Sequence, residues 1–128
     1  MEQQYLIDSN AVIDYLAGKL PEKGMEFLNI VVNQTPIVSV ITKIEVLGFP
    51  GNKETQNLLE SFFTDSNIIN LSDDIVNKTI ELRKLNKIKT PDAIIAATAQ
   101  IYSLIIITRN TKDFETIEGI GLDNPYNL

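Results

Sequence analysis

Apolar residues along this chain recur at two alternating spacings. Short apolar runs bounded by turn residues read as strands, and stretches with apolar positions three and four apart read as helices. Gln4 to Ile7 predicts a first strand that ends at Asp8. Asn10 to Ala17 has helical spacing through Val12, Ile13 and Leu16, with Gly18 as its stop. Glu22 to Val32 predicts a second helix, with Met25, Phe27, Leu28 and Val31 or Val32 inward. Pro36 to Val40 predicts the second strand, and Thr42 to Leu47 the start of a helix broken near Gly48, Pro50 and Gly51. Asn52 to Phe63 follows as a helix, with Leu58, Leu59, Phe62 and Phe63 on one side. Asn67 to Leu71 predicts the third strand. Asp73 to Leu85 predicts an amphipathic helix with Ile75, Val76, Ile80 and Leu82 apolar.

The last third is the most apolar. Pro91 stands where proline suits the first turn of a helix, and Ala93 to Ala99 is apolar on every side, as in a buried helix. Leu104 to Ile107 is a continuous aliphatic run, the mark of a central strand covered on both faces. Thr108 to Phe114 leaves it as a loop or short helix, and the tail from Gly119 predicts a short edge strand with a loose end. Alternation of strands and helices predicts an α/β fold: a mostly parallel central sheet of four to five strands flanked by helices. With 128 residues and no repeat or linker, residues 1–128 read as a single domain.

Composition narrows the chemistry. There is no cysteine and no histidine. That excludes disulfides, thiolate and imidazole metal sites, Ser-His-Asp triads and histidine acid–base pairs. A metal here is held by oxygen, which favours magnesium or manganese. No apolar stretch approaches the roughly 20 residues of a membrane span. The start lacks the pattern of a secretory signal, so the expectation is a cytoplasmic protein with no membrane association. The net charge of −6 speaks against nucleic-acid binding by the whole surface. Yet residues 83–112 hold Arg83, Lys84, Lys87, Lys89, Arg109 and Lys112 against the single acid Asp92. Such a run is either a solvated surface or a basic rim suited to a phosphate backbone.

Four acids occupy telling places. Asp8 ends the first strand, Glu45 lies just past the second, Asp92 opens the buried helix, and Asp113 follows the fourth strand. In open parallel sheets, ligands bind beyond the carboxyl ends of the strands. Each acid alone has an ordinary role. Asp8 can cap the following helix, Asp92 can favour a helix N-terminus, and Glu45 and Asp113 can be solvated. Together they pose a conflict: two carboxylates ~4 Å apart at an effective dielectric of ~20 repel by about 4 kcal/mol. A divalent cation resolves it. Asp14, about a turn and a half along the helix from Asp8, reads as a surface acid.

Four segments together resemble the PIN-domain family, and within it the VapC-type toxin ribonucleases. They are Leu6-Ile7-Asp8-Ser9-Asn10 with Val12-Ile13; Ser39-Val40-Ile41-Thr42 with Ile44-Glu45-Val46-Leu47; Pro91-Asp92-Ala93-Ile94-Ile95-Ala96-Ala97-Thr98-Ala99; and Ile107-Thr108-Arg109-Asn110-Thr111-Lys112-Asp113-Phe114. Each is weak alone, but the four stand in the family's order and spacing over Leu6 to about Pro125. The resemblance implies a PIN-like fold and Mg2+- or Mn2+-dependent hydrolysis of RNA phosphodiester bonds. Asp8, Glu45, Asp92 and Asp113 become the acidic quartet. Asp8 and Asp92 are the implied direct ligands, with Glu45 and Asp113 acting through water or a second ion. Asn10, Thr108 and Asn110 become supporting polar groups, although turn and cap chemistry explains Asn10 equally well. Arg109 and Lys112 are candidates for the substrate phosphate, Lys112 alternatively pairing with Asp113. The resemblance further implies a homodimer and a small antitoxin partner. Phe62-Phe63 and the Tyr15 region could lie at an interface or in the core.

Three other readings compete. An aspartyl-nucleophile phosphoryl-transfer domain usually wants a second Asp two positions after the first, and here that position is Asn10. An RNA-processing nuclease without antitoxin fits the same residues. So does a non-catalytic PIN-like module that binds RNA or protein.

Overall fold

The computed structural model describes residues 2–128. Five parallel strands form one sheet: β1 (Tyr5–Ile7), β2 (Ile37–Ser39), β3 (Asn67–Ile69), β4 (Ile105–Ile107) and β5 (Leu122–Asp123). Their order is β3-β2-β1-β4-β5. The helices are α1 (Ser9–Leu16), α2 (Glu22–Asn33), α3 (Val40–Leu47), α4 (Lys53–Thr64), α5 (Asp73–Leu85) and α6 (Thr90–Tyr102), with a 3-10 turn at Thr111–Asp113. The predicted architecture is therefore the observed one, and the predicted edge strand in the tail is β5.

The sheet separates two apolar cores because strand side chains alternate between faces. In the β1–β4 register Leu6 pairs with Ile106 and Ile7 with Ile107. Leu6 and Ile106 join one core with Ile75, Leu82, Phe114 and the buried face of α6. Ile7 and Ile107 join the other with Val12, Leu28, Val46 and Phe63. Each fully buried Ile or Leu contributes roughly 1.5–3 kcal/mol. Ala93 to Ala99 of α6 are all buried, as their composition requires.

Differences from the predicted elements have local causes. The second strand ends at Ser39, because the Ser39 hydroxyl accepts from the Ile41 amide and caps α3, drawing Val40 into the helix. Phe62 and Phe63 are core residues, stacked edge to face. Leu58 is not beside them: it is 50% exposed, as are large parts of Ile13, Val76 and Ile80. Helices α1, α4 and α5 are covered on one side only, so the outer apolar positions of each stripe meet solvent. Asp14 is a further correction. It is 6% exposed and buried, not a surface acid.

Candidate active site

The strand order reverses at β1: β2 and β3 lie to one side of it, β4 and β5 to the other. The connections leave β1 and β4 in opposite directions, and in open parallel sheets the carboxyl ends of two such strands are where ligands bind. Asp8 follows β1 and Thr108 follows β4, and both are buried there.

Asp8 is the most firmly held of the acids. Its backbone N–H donates to Ile107 O at 3.0 Å, continuing the ladder one residue beyond the strand. It caps α1, with Oδ1 accepting from the Ser9 amide at 2.9 Å. Oδ2 accepts from Thr108 Oγ1 at 2.9 Å and from Asn10 Nδ2 at 3.2 Å. Thr108 Oγ1 in turn accepts from Asn10 Nδ2 at 3.1 Å and from the Asn110 amide at 3.1 Å. Asn10 completes the network by accepting the Arg109 amide on Oδ1 at 2.9 Å. Asp8 thus caps α1 as expected, and Asn10 and Thr108 both hydrogen-bond its Oδ2. Asn110 takes part through its backbone.

The other acids approach from separate elements. Glu45, exposed on α3, is tied to α1 by the Ser9 hydroxyl, which donates to Oε1 at 2.7 Å. Asp92 lies in the first turn of α6, and Asp113 ends the 3-10 turn. Burial raises the Asp8 carboxyl above its ordinary value, against the Ser9 and Thr108 hydrogen bonds, and the charges of Glu45 and Asp113 raise it further. The Asp92 carboxyl is pushed up to about 6, first by burial and then by Asp113, Asp8 and Glu45, with Lys89 pulling the other way. Four acids separated by up to 105 positions in sequence therefore share one electrostatic neighbourhood.

This donor set fits a hard divalent cation. It contains carboxylate and hydroxyl oxygens only, and its mutual repulsion is the kind a cation relieves. Among the described residues no three acids converge as a ready-made ligand cage.

The candidate phosphate-binding residues divide. Among the described residues the ion pairs are Lys78–Glu81 and Arg109–Asp14, so Lys112 is not paired with its neighbour Asp113. Arg109 Nη1 meets Asp14 Oδ2 at 3.0 Å, with the Arg109 side chain 49% exposed. Tyr126 OH donates to the same Asp14 oxygen at 3.0 Å. The sequence reading missed Asp14 and Tyr126. One signal was present: Asp14 lies four residues after Asn10, on the same face of α1.

Apart from this crevice, an apolar groove of about 340 Å³ runs between α1, α3 and α4, lined by Ile13, Leu16, Val46, Phe49, Leu58 and Leu59 among others. Phe49 is 71% exposed. No described helix is long and apolar enough to cross a membrane.

The family model described as PIN domain matches residues 5–120. Among solved structures, the chain is 34% identical to one in a toxin-antitoxin complex from Klebsiella pneumoniae, covering 98% of this chain and 100% of that one, with a TM-score of 0.76. It also resembles VapBC2 from Rickettsia felis bound to a promoter DNA fragment, at 22% identity, 95% and 98% coverage and a TM-score of 0.80. DNA-bound VapBC from Salmonella typhimurium gives 23% identity, 97% and 99% coverage and a TM-score of 0.80. These last two speak for the fold alone. No curated protein matches.

Proposed function

The chain belongs to the PIN domain family, and from that premise we propose that it is a VapC-type toxin, a Mg2+- or Mn2+-dependent endoribonuclease. The observation that carries this reading is the cluster at the switch point, where Asp8, hydrogen-bonded on both carboxylate oxygens, shares its electrostatic field with Glu45, Asp92 and Asp113. PIN domains of this type are nucleases, and oxygen-only acids in a crevice are the donors that a divalent ion requires.

Asp8 and Asp92 would hold the ion. When bound, it supplies Lewis acidity, lowering the pKa of water and offsetting charge on a phosphoryl oxygen. Asp8 enters this role with its rotamer fixed, because Ser9, Asn10 and Thr108 hold both carboxylate oxygens. Glu45 and Asp113 would accept protons of an attacking water and aim it at the phosphorus. Asp92, protonated up to about pH 6 without a cation, would lose its proton to make room for one. Lys112, and the N–H groups of Arg109 that Asp14 does not occupy, would receive the substrate phosphate.

The partner reading rests on the groove between α1, α3 and α4. Ile13, Phe49 and Leu58 expose apolar surface there, side by side, on which an apolar segment of a partner can lie. An antitoxin segment with apolar side chains is its proposed occupant, and the same reading carries a homodimer.

The test is RNA cleavage by purified protein in magnesium, in manganese and in EDTA, beside an Asp92→Asn variant. Metal-dependent cleavage that the variant loses supports the nuclease. Equal silence of both proteins in every metal, with no co-purified inhibitor, removes it.

A further inference from the structure

Asp14 is the buried acid that the four-carboxylate crevice leaves unused. It and Asn10 lie four residues apart on one face of α1, and both grip Arg109. Asn10 Oδ1 accepts the Arg109 amide at 2.9 Å, and Asp14 Oδ2 accepts its guanidinium at 3.0 Å. The third hold comes from the C-terminal tail, where Asn124 Nδ2 donates to Arg109 O at 3.4 Å. Arg109 is therefore fixed at its N–H, its carbonyl and its side chain, from two separate elements.

The tail is itself anchored at several points. The Thr108 amide donates to Asp123 O at 3.0 Å. Asn124 Oδ1 accepts the Tyr126 amide at 2.9 Å, folding the tail back toward α1, where the Tyr126 hydroxyl meets Asp14. Between them Pro125 is buried, its carbonyl lying against Gly24 of α2 so closely that a Cβ at position 24 has no room. Asp14 thus receives both a cation from the β4 loop and a hydroxyl from the tail.

We infer that Asp14 and Tyr126 are positioning residues: through Arg109 they fix the stretch Thr108–Asp113, from which the crevice draws Thr108, Asn110 and Asp113. The inference rests on the nuclease reading for its consequence, and on the contacts above for its mechanism. A surface ion pair would leave the crevice indifferent to its loss. A tether through Arg109 transmits that loss to Thr108, whose hydroxyl holds Asp8.

The test compares wild type with Asp14→Asn, Tyr126→Phe and Gly24→Ala, using Tyr15→Phe as a control. Among the described residues the Tyr15 hydroxyl bonds only the exposed Asn29. Three quantities are read: amide hydrogen exchange by NMR, Mn2+ affinity by calorimetry, and RNA-cleavage kcat and KM. The expected result is that the Arg109 and Asn110 amides exchange about tenfold faster in the first two variants, with the amides of β1 and β2 unchanged. Mn2+ affinity falls by roughly tenfold, the scale of losing a partner that orients a metal ligand. The fall in activity lies mainly in kcat. Gly24→Ala, which disturbs the tail from its other side, moves the same amides.

Exchange and Mn2+ affinity equal to wild type in Asp14→Asn and Tyr126→Phe overturn the inference, whatever happens to thermal stability. If Asp14→Asn does not fold, Tyr126→Phe, which removes one hydroxyl, decides. If wild type neither binds Mn2+ nor cuts RNA, the nuclease reading falls, while the exchange rates still judge the tether.

Discussion

The Thr108 hydroxyl donates to Asp8 Oδ2 at 2.9 Å, joining the ends of β4 and β1 across 100 residues of sequence. Thr108 Oγ1 also accepts from Asn10 Nδ2 and from the Asn110 amide, so one hydroxyl closes the network on which the first carboxylate depends. Thr108→Val keeps the shape and removes all three interactions. The expected loss of stability is about 1–3 kcal/mol, the cost of leaving buried polar groups unpaired. Urea unfolding measures it. Thr108→Ser should restore most of the stability and the Mn2+ affinity.

Asp92 gives the metal-free protein a pH dependence with a definite sign. Its carboxyl is raised to about 6 in the folded protein, against an ordinary value of 3.8. Between about pH 4 and 6 the folded state therefore holds more protons than the unfolded one, and stability falls as pH rises through that window. The raised Asp8 acts in the same direction. In EDTA, Tm should be higher at pH 5 than at pH 7.5. Asp92→Asn should flatten this difference and exceed wild type at pH 7.5. Excess Mn2+ should reverse the wild-type trend, since binding favours the ionised carboxylates. A wild-type Tm that instead rises from pH 5 to pH 7.5 in EDTA would refute the assignment.

Arg109 and Asp14 form an ion pair with one partner buried and the other half exposed. Arg109→Ala strands the buried carboxylate, with only Tyr126 to hold it. A loss of roughly 1–3 kcal/mol is expected, below that of a fully buried pair because solvent screens the exposed guanidinium. Adding Asp14→Asn should recover part of the loss. A double-mutant cycle by chemical denaturation reads the coupling, and strict additivity would mean the two residues do not interact.

Thr35 precedes β2 with φ at 67°, a left-handed conformation that costs a β-branched residue dearly. It lies away from the crevice, at the far end of the strand from Ser39. Thr35→Gly should raise stability by about 0.5–1 kcal/mol, the relieved strain exceeding the added freedom of the unfolded chain, and leave RNA cleavage unchanged. Differential scanning calorimetry checks the first and the cleavage assay the second.

The elements and their layering are legible in the local pattern of apolar and polar residues. Leu104 to Ile107 reads as a central strand, which the structure has at Ile105–Ile107, and Ala93 to Ala99 as a covered helix, because burial on all sides leaves a local compositional mark. The same pattern places acids at strand ends and at the opening of α6, since strand periodicity and the placing of Pro91 are local too. Which outer apolar positions are covered depends on how the helices pack, and that packing leaves Leu58 and Ile13 to line a groove. Packing also makes Asp14 a buried partner of Arg109 and Tyr126, 95 and 112 residues away. A helical stripe tells how far each side chain turns about its own axis. It does not tell what lies opposite, and hydrogen bonds near 3 Å are set by what lies opposite.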